Sequence, residues 1–391
     1  MHYRIRTFNH ISERGLARLP ATRYEIGTSF EDPDAILVRS SDLGALELGP
    51  ALKAIGRAGA GTNNIPVARA SRRGIPVFNA PGANANAVAE LVLAMLIVSV
   101  RNVIPALRFV GELAPTDIEA GVETAKSRFA GIEIAQRTLG VVGLGAIGAM
   151  VAQDAASVGM RIMGFDPHLR PEHARRLPSS LQCVTQLEDL LAAADFVTVH
   201  VPLVPGTQHL FDRTRIARMK RGAVLLNFAR EGIVDTDSVV DALRAGQLAS
   251  YVCDFPSAKL AELPQAIVLP HLGACTAEAE ENCATMVIDQ VRDYLEHGVI
   301  HNAVNFPDVQ MDRESAYRVG IANSNVPNML GQISSTMARA GLNIHTMVNH
   351  SRHEMAYTLV DVDSAVDDTV IRALGAIEGV LSVRSIPLLD A

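Results

Sequence analysis

The chain has 391 residues, 48% hydrophobic and 20% charged, with a formal net charge of −7. That length allows two or three domains with separate cores, and the charge excludes a general nucleic-acid surface while leaving room for arginine clusters that hold a small anionic substrate. The start, MHYRIRTFNHI, lacks a signal-peptide core, the longest greasy run (residues 91–98) is too short for a bilayer, and Cys183, Cys253, Cys275 and Cys283 show no CxxC spacing; a soluble cytoplasmic protein with ordinary thiols and no membrane partner is expected.

Residues 1–82 alternate short apolar strands with helical and polar pieces. Strands are predicted at 35–38, 53–55 and 75–78, with turn chemistry at Gly74 and Pro81-Gly82. Two of them run into arginine, in Val38-Arg39-Ser40 and Ile55-Gly56-Arg57-Ala58-Gly59. Ligands of open α/β sheets gather at the carboxyl ends of strands, so Arg39, Ser40 and Arg57 are candidates for holding an anion; the alternative is a pair of solvated strand ends. From Asn84 the text ANANAVAELVLAMLIVSV reads as a helix apolar nearly all round, to be buried between domains or in a subunit interface. Residues 108–135 are more polar and irregular, a loop or arm with some helical content.

Residues 138–167 read TLGVVGLGAIGAMVAQDAASVGMRIMGFDP. An apolar strand runs into Gly143-x-Gly145-x-x-Gly148, continues as an alanine-rich helix, and returns through a second strand that ends on Asp166. The first glycine allows a tight turn, the second lets backbone approach a pyrophosphate, and the third lets helix and strand pack closely. The N–H groups opening the helix face the phosphates. Asp166 lies 23 residues beyond Gly143, where a carboxylate accepts from ribose hydroxyls and repels a 2′-phosphate, which favours NAD over NADP.

Further strands are predicted at 196–201, 223–229, 250–254 and 267–271, most of them apolar throughout as in a parallel sheet covered on both faces. With the two of the glycine motif they make the six of a doubly wound dinucleotide domain. A helix over 276–297 starts at Thr276 with Glu278, Glu280 and Glu281 in its first turns and leads back toward the first domain. Residues 306–316 read as a linker. The remainder, 317–391, follows a βαββαβ order with Gly341 as a helix C-cap, a separate third domain.

A nicotinamide enzyme needs one group to move the alcohol proton and another to orient the substrate. His271, at a strand end facing the cofactor crevice, suits the first task because imidazole titrates near neutrality. Arg230, also at a strand end, suits the second because its planar fork grips a carboxylate in two places. The alternative for His271 is a structural histidine. HExxH and clustered Cys/His spacings are absent, and no metal is expected.

Six blocks together resemble a known family: VRS at 38–40, GRAGAGTNNI at 56–65, RRGIPVFNAPGANANAVAEL at 72–91, GVVGLGAIG at 140–148, NFAREGIVD at 227–235 and PHLGACTAEAEEN at 270–282. The family is that of the NAD-dependent D-isomer-specific 2-hydroxyacid dehydrogenases, within it the members that oxidise 3-phosphoglycerate and carry a C-terminal ACT-like regulatory domain. The resemblance implies a Rossmann-type doubly wound parallel sheet (83–282) inserted in a smaller flavodoxin-like α/β substrate domain (1–82 and 283–305), plus the βαββαβ ACT-like domain. It implies a homodimer or homotetramer that oxidises 3-phosphoglycerate to 3-phosphohydroxypyruvate with reduction of NAD, the first step of the phosphorylated serine pathway. His271 becomes the general acid/base and Arg230 the carboxylate anchor, with Arg39, Ser40, Arg57, Gly59 and Asn84 at the substrate, Gly59 giving the backbone room. Cofactor contacts are implied at Gly143, Gly145, Ala146, Ile147, Gly148, Asp166, Val201, Pro202, Thr207, Phe228, Ala229, Asp254, Gly273 and Ala274.

The chain departs from the family in one segment. The aspartate matching Asp254 is normally followed by a catalytic glutamate; here the text runs Phe255-Pro256-Ser257-Ala258-Lys259. Glu262 is offset, and Glu231 follows Arg230 where glycine is usual; either could substitute, and the expectation set against that is that His271 titrates without a carboxylate partner. In the tail, Asn325 and Asn343 match the family's amino-acid site, whereas Asn328 stands where glycine is usual and Asn323 where a histidine often sits; L-serine is the expected effector, set against a purely structural role. Two other readings are a reductase for glyoxylate, hydroxypyruvate or another 2-oxo acid, and a non-catalytic NAD-sensing interaction protein of the same fold.

Overall fold

The apolar runs form three sheets in the computed structural model, which describes residues 2–114, 116 and 118–388. The chain divides into two units, Met1–Asn84 with Ala277–Ala391, and Ala85–Thr276.

In the first unit a five-stranded parallel sheet has the order Tyr24–Gly27, Tyr3–Phe8, Ala35–Val38, Ala54–Arg57, Val77–Phe78. This is the flavodoxin-like order 2-1-3-4-5. Tyr3–Phe8 and Tyr24–Gly27 went unanticipated because charged residues interrupt their apolar runs: Tyr3 and Ile5 are buried while Arg4 between them is exposed, and the edge strand buries only Tyr24. Helix Ala277–His297 lies on this sheet, packing Cys283, Ala284, Val287, Ile288, Val291, Tyr294 and Leu295 against Tyr3, Ile5, Leu37 and Phe78. Gly56 permits the close approach, since a Cβ there would come within 2.9 Å of Leu37 and Val291. The whole helix, from residue 277, belongs to this unit.

The C-terminal module is antiparallel, in the order Ile344–Arg352, Met355–Val362, Tyr317–Ser324, Val380–Pro387, with helices Met329–Arg339 and Asp368–Gly375. This is the βαββαβ arrangement. Its sheet is separate, but its core is not. Val319, Ile321, Val360 and Val362 face the module's own helices, whereas Ala322, Tyr357, Leu359 and Ile386 join the core built on the first sheet. The strand period of two explains the division, because alternate residues face opposite sides and here both sides are covered. Arg384 stacks over the Tyr294 ring at 4.5 Å and donates to Leu295 O at 3.1 Å. The segment read as a linker packs into the same core through Phe306, Val309 and Met311.

In the second unit a seven-stranded parallel sheet has the order Ala266–Val268, Leu248–Cys253, Ala223–Asn227, Phe196–Val199, Thr138–Val142, Arg161–Phe165, Gln182–Cys183. The seventh strand is an exposed two-residue edge, too short to carry a pattern. Helix Ala85–Val100 buries Val88, Val92 and Leu96 against Leu139, Val141 and the alanine-rich helix. It is not buried all round: Ile97 is 40% exposed. The arm is more regular than expected, with helices Val103–Glu112 and Ile118–Ala125 and the 3-10 turn Lys126–Phe129; Pro115 and Asp117 lie outside the described residues. Among the described residues no single helix is long and apolar enough to cross a membrane, and the helices Ala85–Val100 and Val103–Glu112 meet at a 67° bend.

Candidate active site

The strand order of the second unit reverses between Phe196–Val199 and Thr138–Val142. Open α/β sheets bind ligands at such a switch point, outside the carboxyl ends of the strands, and the glycine turn sits there. Each glycine has a distinct steric reason. Gly143 has φ +93°, and a Cβ on it would lie 2.8 Å from the His200 backbone. A Cβ on Gly148 would fall 1.9 Å from Gly143 O, so only glycine lets helix Ala146–Ser157 start against the turn. Gly145 has nothing within 4 Å of a Cβ position, which leaves open space in front of the helix start at Ala146 and Ile147. That open cradle fits a pyrophosphate held on backbone N–H groups.

Asp166 follows strand Arg161–Phe165. Its Oδ2 accepts from Leu144 N at 2.9 Å and its Oδ1 from His168 N at 2.8 Å, so the carboxylate ties the glycine turn to the next strand end. An ionised carboxylate has about four acceptor positions, which leaves capacity for ribose hydroxyls. Behind the turn His200, which sequence reasoning did not single out, meets Thr198 Oγ1 through Nε2 at 2.9 Å, while its Nδ1 is buried and unpartnered. Burial lowers its pKa to about 3, so the imidazole stays neutral behind the glycine turn. Val201 and Pro202 continue this strand end, and Thr207 closes the loop by donating to Pro202 O at 2.5 Å and accepting from Val204 N at 2.9 Å.

Three neighbouring strand ends carry the candidate chemistry. After Ala223–Asn227 the chain passes Phe228, which is buried, and Ala229 to Arg230, whose side chain is exposed and donates from Nη1 to Ala229 O at 2.6 Å. Asn227, fully buried, shapes this turn: its Nδ2 donates to Arg230 O at 2.9 Å and its Oδ1 accepts from Ala229 N at 3.1 Å. A buried asparagine ending an apolar strand was the available signal for it. After Leu248–Cys253, buried Asp254 accepts from Leu272 N and Gly273 N, both at 2.7 Å. A Cβ on Gly273 would come within 3.1 Å of that carboxylate. Asp254 thereby braces the turn His271-Leu272-Gly273-Ala274, in which His271 has φ +60° and an exposed ring.

The neighbour of the His271 ring is Phe255, edge-on with centroids 5.5 Å apart. Among the described residues no carboxylate makes a hydrogen bond or ion pair with His271. The segment where the family has its glutamate is the short helix Ala258–Ala261, in which Lys259 pairs with Asp237 at 2.5 Å. Glu262 lines a surface hollow with Asp241, Arg244 and Lys259, and Glu231 another with His209, Asp235 and Lys259.

In the first unit Arg39 and Arg57 end adjacent strands. Arg57 Nε donates to Arg39 O at 3.0 Å, and Arg39 Nη2 forms a 2.5 Å ion pair with Glu280. The room at Gly59 is taken by Arg57 itself, because a Cβ there would lie 1.9 Å from Nη1. Ser40 N donates to Asn9 Oδ1 at 3.0 Å, so Asn9, which was not anticipated, holds the loop after Arg39. Asn84 Oδ1 is buried without a hydrogen-bond partner, an acceptor that a donor on a ligand would satisfy.

The structure does not bring Asn325 and Asn343 together. Asn325 donates from Nδ2 to His353 O, at the hairpin between the strands Ile344–Arg352 and Met355–Val362, whereas Asn343 N donates to Asp363 Oδ1 at their other end. Eight strand residues at about 3.3 Å each put them more than about 20 Å apart. Asn328 has φ +63°, a conformation asparagine tolerates in place of glycine.

Gly148→Ala should destabilise the fold by about 1–3 kcal/mol. Gly145→Val should leave the melting temperature near wild type yet weaken NAD binding about tenfold or more, read by calorimetry. Equal NAD affinity in Gly145→Val would sink the pyrophosphate assignment.

Switch-point glycine turn, acidic strand end and a histidine and arginine on the neighbouring strand ends define a dinucleotide-binding protein of the dehydrogenase class. The family model for the NAD-binding domain of D-isomer specific 2-hydroxyacid dehydrogenases matches residues 93–273. D-3-phosphoglycerate dehydrogenase of Haemophilus influenzae is 33% identical over 352 residues, which cover 87% of this chain and 82% of that protein. The enzyme of the same name from Methanocaldococcus jannaschii is 35% identical over 75% of this chain, and the chain spans about half, 55%, of that relative's length. Among solved structures, the TT0316 protein of Thermus thermophilus has a TM-score of 0.64 at 29% identity, covering 77% of this chain and 99% of that one. The chain belongs to the D-isomer specific 2-hydroxyacid dehydrogenases, whose NAD-binding domain it carries.

Proposed function

We propose that the chain is a D-3-phosphoglycerate dehydrogenase, oxidising 3-phosphoglycerate to 3-phosphohydroxypyruvate at the start of the phosphorylated route to serine. The observation that carries the reading is the pair Arg39 and Arg57 on adjacent strand ends, two guanidinium groups suited to a phosphate. Bound NAD supplies the hydride acceptor. His271 takes the hydroxyl proton on its imidazole, Arg230 grips the carboxylate, and Arg39 and Arg57 take the phosphate. Asn227 and Asp254 act as positioning residues by holding the backbone turns that carry Arg230 and His271.

The test is hydride transfer from 3-phosphoglycerate to NAD. Arg39→Ala and Arg57→Ala should each raise KM for 3-phosphoglycerate by about 10- to 100-fold, the worth of a charged hydrogen bond, with far less effect on hydroxypyruvate reduction. Unchanged KM in both variants would reject the phosphate reading in favour of an unphosphorylated 2-oxo acid.

A homo-oligomer, homodimer or homotetramer, is part of this proposal. Its support is the apolar surface of the arm, where Val103, Leu107 and Val110 are exposed, Leu107 by 68%; sedimentation as a monomer at micromolar concentration would refute it. L-serine remains the proposed effector of the C-terminal module. A site using both Asn325 and Asn343 then requires a second copy of the module, and calorimetry showing no heat with millimolar serine would end the idea.

A further inference from the structure

Glu280 stands in the first turn of helix Ala277–His297, and its carboxylate meets Arg39 Nη2 at 2.5 Å with both side chains about one-third exposed. The next residue, Glu281, turns away to Arg14 at 2.6 Å. One turn on, Cys283 faces the same cluster: burial raises its thiol pKa, with Arg57 and Arg39 pulling against that and Glu280 adding to it. The candidate phosphate clamp therefore consists of two guanidinium groups and one carboxylate. An incoming phosphomonoester dianion meets net charge +1 rather than +2 and competes with Glu280 for the Arg39 fork, whereas a substrate without a phosphate meets no such competition.

We propose that Glu280 is a specificity-determining residue that limits the charge of this anion subsite and so disfavours phosphorylated relative to unphosphorylated 2-hydroxy acids. The proposal rests on the phosphate reading of Arg39 and Arg57 given above. Glutamine at this position keeps the shape and can still accept from Arg39, but it removes the charge.

The experiment compares the full chain with E280Q, E278Q and R39A, measuring 3-phosphoglycerate oxidation, hydroxypyruvate reduction and inhibition by inorganic phosphate. Glu278 lies on the same first turn, is exposed, and makes no ion pair among the described residues, so E278Q removes an equal charge without the contact. E280Q should lower KM for 3-phosphoglycerate and the inhibition constant for phosphate by roughly fivefold, the effect lying in KM rather than kcat, and should move KM for hydroxypyruvate by less than about twofold. E278Q should show neither change. Folded E280Q with unaltered KM and phosphate inhibition overturns the proposal while R39A still raises KM, so the clamp itself stands. An R39A variant with unaltered KM takes Arg39 out of the clamp and removes the proposal with it. An equal gain in E278Q assigns the effect to general charge and also overturns it.

Discussion

Replacing His271 by Asn should lower kcat for hydride transfer by about 10²- to 10⁴-fold, the usual contribution of general acid–base catalysis, with little change in NAD affinity. Asparagine is the informative substitution because residue 271 has φ +60°, a left-handed conformation that asparagine adopts more readily than alanine. Asp254 would still accept from Leu272 N and Gly273 N, so the turn survives and only the imidazole is lost. Since the ring packs against Phe255, and no carboxylate pairs with it among the described residues, Glu262→Gln and Glu231→Gln should leave the midpoint of the pH–rate profile in place. A displacement of about one unit in either would mean that a carboxylate does assist the histidine. A His271→Asn variant within a few-fold of wild type would remove His271 from the chemistry altogether, whereas no hydride transfer in the wild type itself would favour the non-catalytic reading.

The second large effect concerns stability. Arg318 and Asp361 form a two-point ion pair, Nε to Oδ1 at 2.7 Å and Nη2 to Oδ2 at 2.9 Å, at 1% and 0% side-chain exposure. Arg318 also donates to His297 O, Met311 O and Asp312 O, which stitches the end of helix Ala277–His297 and the segment after it to the C-terminal sheet. Asp361→Asn leaves a buried guanidinium without its counter-charge, and such a break costs about 3–5 kcal/mol. Urea unfolding of the full chain should show a correspondingly earlier transition; a loss below about 1 kcal/mol would mean that the site opens to water. Burial alone would raise the Asp361 carboxyl, but hydrogen bonds from Arg318 and Glu314 N with the arginine charge outweigh it, and the pKa is lowered. The folded value thus lies below the unfolded one, so the contribution is complete above about pH 4 and is lost as pH falls through the folded pKa. Acid unfolding of wild type should therefore begin below about pH 4, and Asp361→Asn should lack this part of the pH dependence.

What was legible along the chain was local. The glycine turn, its helix and Asp166 form one continuous segment whose spacing is dictated by backbone sterics and the cofactor's dimensions, and Arg230 and His271 stand out because each ends an apolar strand. Strand alternation and turn chemistry were enough for the βαββαβ order of the tail. Tyr3–Phe8 was missed because one of its faces is polar, and Gln182–Cys183 because two residues hold no period. The residues that support the site, Asn9, Asn227 and His200, act through hydrogen bonds to backbone turns or through burial beneath them, which leave no periodic trace.

By itself the sequence determined the dinucleotide unit, the acid–base and carboxylate-binding candidates and the absence of a glutamate at the expected position, because each depends on residue type at fixed short spacing. Tertiary structure alone decided three other matters. It set Glu280 against Arg39, it made the C-terminal sheet share the core of the first unit through Tyr357, Leu359 and Ile386, and it separated Asn325 from Asn343 by the length of a strand. The physical reason is common to all three: ion pairing, shared burial and distance between strand ends depend on where the chain returns, and neither periodicity nor composition encodes that return.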